Sequence, residues 1–506
     1  MKPISRRAFL AASGASLSLA AIPHRLRSLQ FGTSQRAQPD YEATLESLTT
    51  HPIPRWYEDA KFGIFFHIGV YTVPAWAPLP PGPINSPGGG QYYAEQYMVQ
   101  LMAPDSATWA HHRDVYGTQL NYDDFIPQFK AEKFDPERWI KLVEDAGARY
   151  FVPTAKHREG FSNFRTSTTH RNSVDMGPRR DLIKDLVETA RRTSDLKVGI
   201  YYGLQDTFSP AYTGEQPRNP YTGEVIPYAG YQPINDYVQD ALHPQFREII
   251  DKFDPDLLWA DAQFARPRSY WRMPEIVAHF YNNAKNRRKP KEVVTDTRIV
   301  LGTGDDFTSL DVPGFFTTPE YTDVPEIKTS KWELARGIGN SFAYNQLETD
   351  AQYLSAKELV HLLVDVVSKN GNLLLNAGVK ADGTIVPAQE QRLREVGRWL
   401  RINGAAIYGS RPWMQFEDPG ANVPVRFTRR SKAFYVVALA WPDKMLSLSA
   451  ALPIDKRSEI RLLGGGSKPL SWHQDADRLV IDMPRGGENA TRSRHAFAFE
   501  IKASGS

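Results

Sequence analysis

Short apolar runs that end in a polar, reactive residue recur along this chain. Residues 255–261 (Pro-Asp-Leu-Leu-Trp-Ala-Asp) end in the carboxylate of Asp261. Residues 61–67 end in His67, 150–157 in His157, 197–202 in Tyr201 and Tyr202, 315–320 in Glu320, and 372–376 in Asn376. Side chains alternate faces along a strand, so Trp259 and Asp261 point the same way. A carboxylate at the exit of a buried strand is costly unless the strand end opens into a pocket. For any single run an Asp capping the next element explains the pattern equally well; its recurrence argues for a shared pocket.

Between these runs lie helical patterns. Apolar residues recur at helical spacing in 135–146 (Trp139, Leu142, Val143) and 180–192 (Leu182, Ile183, Leu186, Val187), with similar stretches at 245–253 and 356–368. Alternating strands and helices predict βα units around a parallel sheet. Their repetition predicts a (β/α)8-like TIM barrel, whose active site gathers at the C-terminal strand ends. The barrel begins near Pro54 and runs to about Asn403, closed by the helical stretch 388–402. After Pro412 the texture changes to six short β-patterned runs: 425–428, 433–439, 445–448, 459–463, 478–482 and 496–501. They predict a C-terminal antiparallel β-sandwich. The expected division is 1–40 as leader and linker, 41–410 as the barrel and 411–506 as the sandwich. Two Pro- and Gly-rich loops, 77–94 and 205–231, interrupt the barrel and read as pocket walls or lids.

Composition narrows the classes. With 61 Lys and Arg against 58 Asp and Glu, the net charge of +3 gives no strong attraction to nucleic acid or to a membrane surface. The absence of Cys excludes disulfides, thiolate metal sites, a thiol nucleophile and a lipoprotein anchor. Eleven Trp and 23 Tyr supply stacking faces for sugars as well as core. Ser5-Arg6-Arg7-Ala8-Phe9-Leu10, followed by an apolar stretch to about Ile22, resembles a twin-arginine export signal. It predicts an exported, bacterial periplasmic protein that is free of the membrane once the signal is removed. Oligomeric state is left open.

Asp261 and Glu320 end different predicted strands. Two carboxylates are what glycosidic bond cleavage needs, one at the anomeric carbon and one donating a proton to the leaving oxygen. Several stretches then resemble, in order, the retaining α-L-fucosidases of glycoside hydrolase family 29. They are 56–67 (Trp-Tyr-Glu-Asp-Ala-Lys-Phe-Gly-Ile-Phe-Phe-His), 156–161 (Lys-His-Arg-Glu-Gly-Phe), 171–181, 255–261, Trp332-Glu333, 336–342 and 371–376. The resemblance spans roughly 54–412, and the trailing sandwich fits it. It implies hydrolysis of terminal α-L-fucosyl linkages with retention, on a fucosylated glycan or glycoside, without cofactor or metal.

The resemblance also implies roles. Asp261 matches the family's nucleophile. The acid/base is less uniformly placed in the family; Thr318-Pro319-Glu320-Tyr321 matches one bacterial branch, making Glu320 the acid, with Glu326 and Glu333 as rivals. Glu333 reads as a structural helix residue. The sugar pocket is implied for His67, Glu95, His157, Tyr201, Trp259, Arg298 and Phe342. Three departures stand out: His67-Ile68-Gly69 for His-Trp-Gly, Lys156-His157-Arg158 for Lys-His-His, and Ala94-Glu95-Gln96-Tyr97 for Ala-Glu-Trp-Tyr. Arg158 and Gln96 are therefore expected to retune the pocket, with Arg158 near enough to Asp261 to favour its ionised form. A glycosidase for a fucose-like sugar such as an α-L-galactoside, or a catalytically impaired sugar-binding barrel, is the alternative. A zinc hydrolase using two His and an Asp is another, although the barrel strands carry no His-x-His or His-x-x-x-His pair. His111-His112 reads as a surface pair in a polar loop.

Overall fold

The computed structural model describes residues 40–82, 89–261, 266–302, 305 and 310–502. The twin-arginine stretch and part of the 77–94 loop lie outside them. Seven parallel strands form one curled sheet: β1 (Phe62–His67), β2 (Tyr150–Lys156), β3 (Lys197–Gly203), β4 (Leu257–Asp261), β5 (Val294–Thr295), β6 (Trp332–Gly337) and β7 (Gly371–Gly378). Their order is β5-β4-β3-β2-β1-β7-β6. The two edges are joined through residues 316–320, which bridge to Asp296 on one side and to Trp332 and Ala335 on the other. Thr297 N–H donates to Phe316 O at 2.9 Å, and Glu333 N–H to Thr317 O at 2.8 Å. The sheet is thus a TIM-like barrel with a thin eighth stave. Two of its strands escape the pattern. β5 has only two residues, and β6 (Trp-Glu-Leu-Ala-Arg-Gly) is interrupted by Glu333 and Arg336, so it lacks the continuous apolar run that marks a strand buried on both faces.

The expected helices are present and locally specified. Helix Pro136–Asp145 starts with Asp135 accepting from Arg138 N–H and with Pro at its first turn; Trp139, Ile140, Leu142 and Val143 face inward. Leu182–Thr193 is capped by Asp181 and Ala356–Ser368 by a Ser355/Glu358 box. Residues 107–116 form a helix rather than a loop. His112 on it is buried between the Tyr97 hydroxyl and Leu120 O, and His111 stacks on Trp76 at 4.0 Å, so the pair is packing rather than surface.

Alternation sorts each strand into two sets. Ile64 and Phe66 face the helices, while Phe65 joins Tyr150, Val152, Tyr201, Leu257, Trp259, Phe316, Ala335 and Leu374 in the barrel interior. Low in that interior stands Glu333, on β6 and wholly buried, which corrects its expected place in a helix. Its carboxyl accepts from the Tyr57 hydroxyl at 2.8 Å, from the Tyr150 hydroxyl and from Trp259 Nε1 at 3.0 Å. Burial raises its pKa from 4.5 to about 7, against those three bonds.

The C-terminal part is antiparallel, as expected. Strands β8 (Val425–Arg430), β9 (Ala433–Ala438), β11 (Glu459–Leu462) and β14 (Phe497–Lys502) form a sheet in the order β11-β14-β9-β8. β10 (Met445–Leu448), β13 (Arg478–Asp482) and β12 (Trp472–Asp475) form the second. Phe427, Val436, Leu446, Ile460, Ile481 and Phe499 fill the space between them. β12 (Trp-His-Gln-Asp) is an edge strand with little buried surface, hence no apolar signature. Arg411 pairs with Glu58 at 2.9 Å and Asp59 at 2.7 Å, tying the sandwich to the base of the barrel.

Glu333→Ala strands three buried donors and is expected to destabilise the fold by roughly 3 kcal/mol. A carboxyl whose folded pKa is raised stabilises most when protonated in both states. The gap to wild type should therefore be full below about pH 4.5 and narrow as pH rises towards about 7. Urea unfolding at several pH values measures it; a gap that widens with pH contradicts the assignment.

Candidate active site

A cavity of about 170 Å³ opens at the C-terminal ends of the barrel strands. All ten residues expected at the site line it: His67, Glu95, His157, Arg158, Tyr201, Trp259, Asp261, Arg298, Glu320 and Phe342. Strand register delivers several of them. β1 ends in His67, and β4 carries Trp259 and Asp261 on one face, with Asp261 opposite Gly203 of β3.

Arg298 is the centre of the arrangement. It lies on a single turn, Thr297–Ile299, capped by buried Asp296, whose carboxyl accepts from Ile299 N–H at 3.2 Å and from Ala260 N–H at 2.8 Å. This ties the turn directly to β4. Arg298 Nη1 donates to Asp261 Oδ1 and Nη2 to Glu320 Oε1, both at 2.6 Å. Nε donates to Thr318 Oγ1 at 2.6 Å, and Nη2 also reaches Thr318 O at 2.9 Å. The guanidinium lies 4.7 Å from the Trp259 ring centre. Arg298 is only 4% exposed, Asp261 17% and Glu320 28%, so the carboxylates open to the cavity while the cation between them does not.

The carboxylates diverge in acidity. Burial pushes Asp261 up, but the Arg298 charge, with bonds from the Tyr201 hydroxyl (2.8 Å) and Arg298, outweighs it and holds Asp261 below the ordinary value. Burial raises Glu320, with the Asp261 charge adding to it and Arg298 opposing. One group favours the carboxylate and the other the acid, the split that acid and base partners require. The largest charge acting on Asp261 is that of Arg298, with His157 adding to it. Arg158, on the same cavity wall, donates to Gln96 and Gln205.

The remaining residues form the wall. His67 Nδ1 meets Asn376 Oδ1 at 2.8 Å; burial, and then His157 beside it, lower its pKa to about 3, so the ring is neutral at pH 7. His157 Nδ1 lies 3.3 Å from Glu159 Oε2. Glu95 accepts from Ala343 N–H at 2.9 Å and Ser341 Oγ at 3.1 Å, and burial raises its pKa. Trp259 stacks on Tyr201 at 5.5 Å, and Phe342 packs edge-on against Tyr93 at 5.5 Å. Tyr93, Phe65 and Glu159 escaped the sequence reading as site residues, and Asn376 was marked only as the end of an apolar run. Asn376, ending an apolar run, and Glu159, beside His157, carried a usable signal; Tyr93, in a loop, carried none. The rival acid Glu326 is paired with Lys328 at 2.9 Å and 68% exposed, and Glu333 is committed to the barrel interior. Among the described residues no group of three His, Asp or Glu is placed to hold a metal ion.

Comparison with known proteins agrees with this geometry. The sequence profile described as Alpha-L-fucosidase matches residues 28–405, and that of the Alpha-L-fucosidase C-terminal domain matches 418–502. The chain is 32% identical to the tissue alpha-L-fucosidase of Homo sapiens over 477 residues, covering 93% of this chain and 94% of the relative. It is 31% identical to an alpha-L-fucosidase of Branchiostoma floridae, covering 92% and 96%. Among solved structures, the Thermotoga maritima alpha-fucosidase in complex with a mechanism-based inhibitor superposes with a TM-score of 0.74 at 33% identity, covering 91% of this chain and all of that one. The chain belongs to the alpha-L-fucosidase family of glycoside hydrolases.

Proposed function

We propose that the chain is a retaining exo-α-L-fucosidase acting by double displacement, with Asp261 as nucleophile and Glu320 as acid/base. The observation that carries this reading is the Arg298 guanidinium held between the two carboxylates. One guanidinium joining both supports the close pair of a retaining enzyme, ~5–5.5 Å apart, over the wide pair of an inverting one. Asp261 attacks the anomeric carbon as Glu320 gives its proton to the leaving oxygen. Glu320, now a carboxylate, then takes a proton from the water that releases the sugar. Tyr201 and Arg298 hold Asp261 ionised and aimed. His67, Glu95 and His157 offer hydrogen bonds to sugar hydroxyls, with Trp259 and Phe342 as apolar faces. The catalytic unit is 41–410, followed by the sandwich 411–506.

We also infer export through the twin-arginine signal. No helix among the described residues is long and apolar enough to cross a membrane.

Asp261→Ala should abolish activity and recover part of it with azide, while proton NMR of the wild-type reaction shows the α-anomer first; first release of the β-anomer sinks the mechanism. Glu320→Ala in the same assays should slow poor leaving groups far more than nitrophenyl fucosides.

The pH profile of kcat/KM should be a bell. Its acid limb, from Asp261, lies below the ordinary carboxylate range, and its alkaline limb, from Glu320, above it. Arg298→Gln removes a positive charge from both, so both limbs should move to higher pH. A limb that moves down, or none that moves, contradicts the clamp.

Replacing Arg6 and Arg7 by Lys should leave the protein in the cytoplasmic fraction of a bacterial host with a twin-arginine system. Equal periplasmic activity from both forms removes the export assignment.

A further inference from the structure

Arg158 differs from Arg298 in its partners, although both line the cavity. Its Nη2 donates to Gln205 Oε1 at 2.7 Å and its Nη1 to Gln96 Oε1 at 3.2 Å, both neutral amides. Its Nε is buried without an acceptor. Among the described residues no carboxylate pairs with it. The nearest acids in sequence are committed elsewhere: Glu159 lies against His157, and Asp206 accepts from the Tyr228 hydroxyl at 2.7 Å and Ser209 N–H at 3.1 Å.

A half-buried cation hydrogen-bonded only to neutral amides has no direct ion-pair partner to offset its desolvation. The two glutamines nonetheless hold the fork in one orientation. A planar guanidinium fixed in this way suits an oxyanion, which it binds through parallel charged hydrogen bonds.

We propose that Arg158 forms an oxyanion subsite, and that the preferred substrates are acidic fucosides bearing a sulfate or carboxylate on the fucosyl ring or on the adjoining sugar. This rests on the fucosidase reading and adds the substrate class to it. The oxyanion takes no part in the bond change, so the guanidinium binds it equally in ground and transition states and the effect falls mainly on KM.

The test compares kcat/KM on matched pairs. One arm sets nitrophenyl α-L-fucoside against its ring-sulfated forms. The other sets a fucosyl-glucose disaccharide against its fucosyl-glucuronate counterpart. Wild type should favour the acidic member of at least one pair by roughly tenfold, the size of one charged hydrogen-bond pair. The favoured arm locates the anion on the ring or on the leaving sugar. Arg158→Gln should bring that ratio close to one through KM, and Arg158→Lys, which keeps the charge but loses the fork, should fall between. Each ratio is internal to one enzyme, so differences in folding yield cancel. A wild-type ratio near one in both arms, or a ratio unchanged in Arg158→Gln, overturns the proposal. If no fucoside of any kind is turned over, the catalytic reading fails and calorimetry decides the subsite alone: sulfated fucose must bind wild type more tightly than fucose, and Arg158→Gln must lose the difference.

Discussion

The active-site architecture depends on one buried cation placed between two carboxylates. Removing a guanidinium from water is expensive, and Arg298 is stable in its position because Asp261, Glu320 and Thr318 together satisfy it. The same contact holds the ends of two strand segments together and lowers the pKa of Asp261, while burial and the Asp261 charge keep Glu320 above its ordinary value. Asp296 caps the turn that presents Arg298 and bonds to the backbone of β4, so the strand that ends in Asp261 and the cation's turn are tied together. Geometry and electrostatics at this site are thus consequences of a single placement.

Beneath the cavity the barrel interior is a second polar arrangement. Glu333 collects Tyr57, Tyr150 and Trp259, and Trp259 in turn supports the guanidinium above it. The interior therefore runs upward from a buried carboxyl, through an aromatic layer, to the charged site. Preorganisation of this kind lets fixed charges act on a reacting bond without reorganising during the reaction.

Much of this was legible in the sequence, for a physical reason. Strands buried on both faces must be apolar throughout, so a polar residue at a strand end is conspicuous; His67, Asp261, Glu320 and Asn376 were visible that way. Lone polar residues inside a strand lack that contrast. Glu333 broke the apolar run of β6 and disguised the strand as helix, and the two-residue β5 had no pattern to read. Arg298 came from family resemblance, since nothing in its local pattern marks a turn that will be capped and buried. The direction of Arg158 depended on Gln205, 47 positions away, which local pattern cannot foresee.

The thin stave at 316–320 bears on how such a site changes over evolutionary time. The position of Asp261 is fixed by a continuous ladder, because it sits in register with Gly203 and cannot slip without turning a whole strand inside out. Glu320 sits on a segment held by isolated bridges at Asp296, Trp332 and Ala335, with a long connection before it. An insertion or deletion there leaves every other strand in place. Under the roles proposed for Asp261 and Glu320, one barrel can thus keep the attacking group while the proton donor shifts to a different residue, and variation should fall on the second far more than on the first.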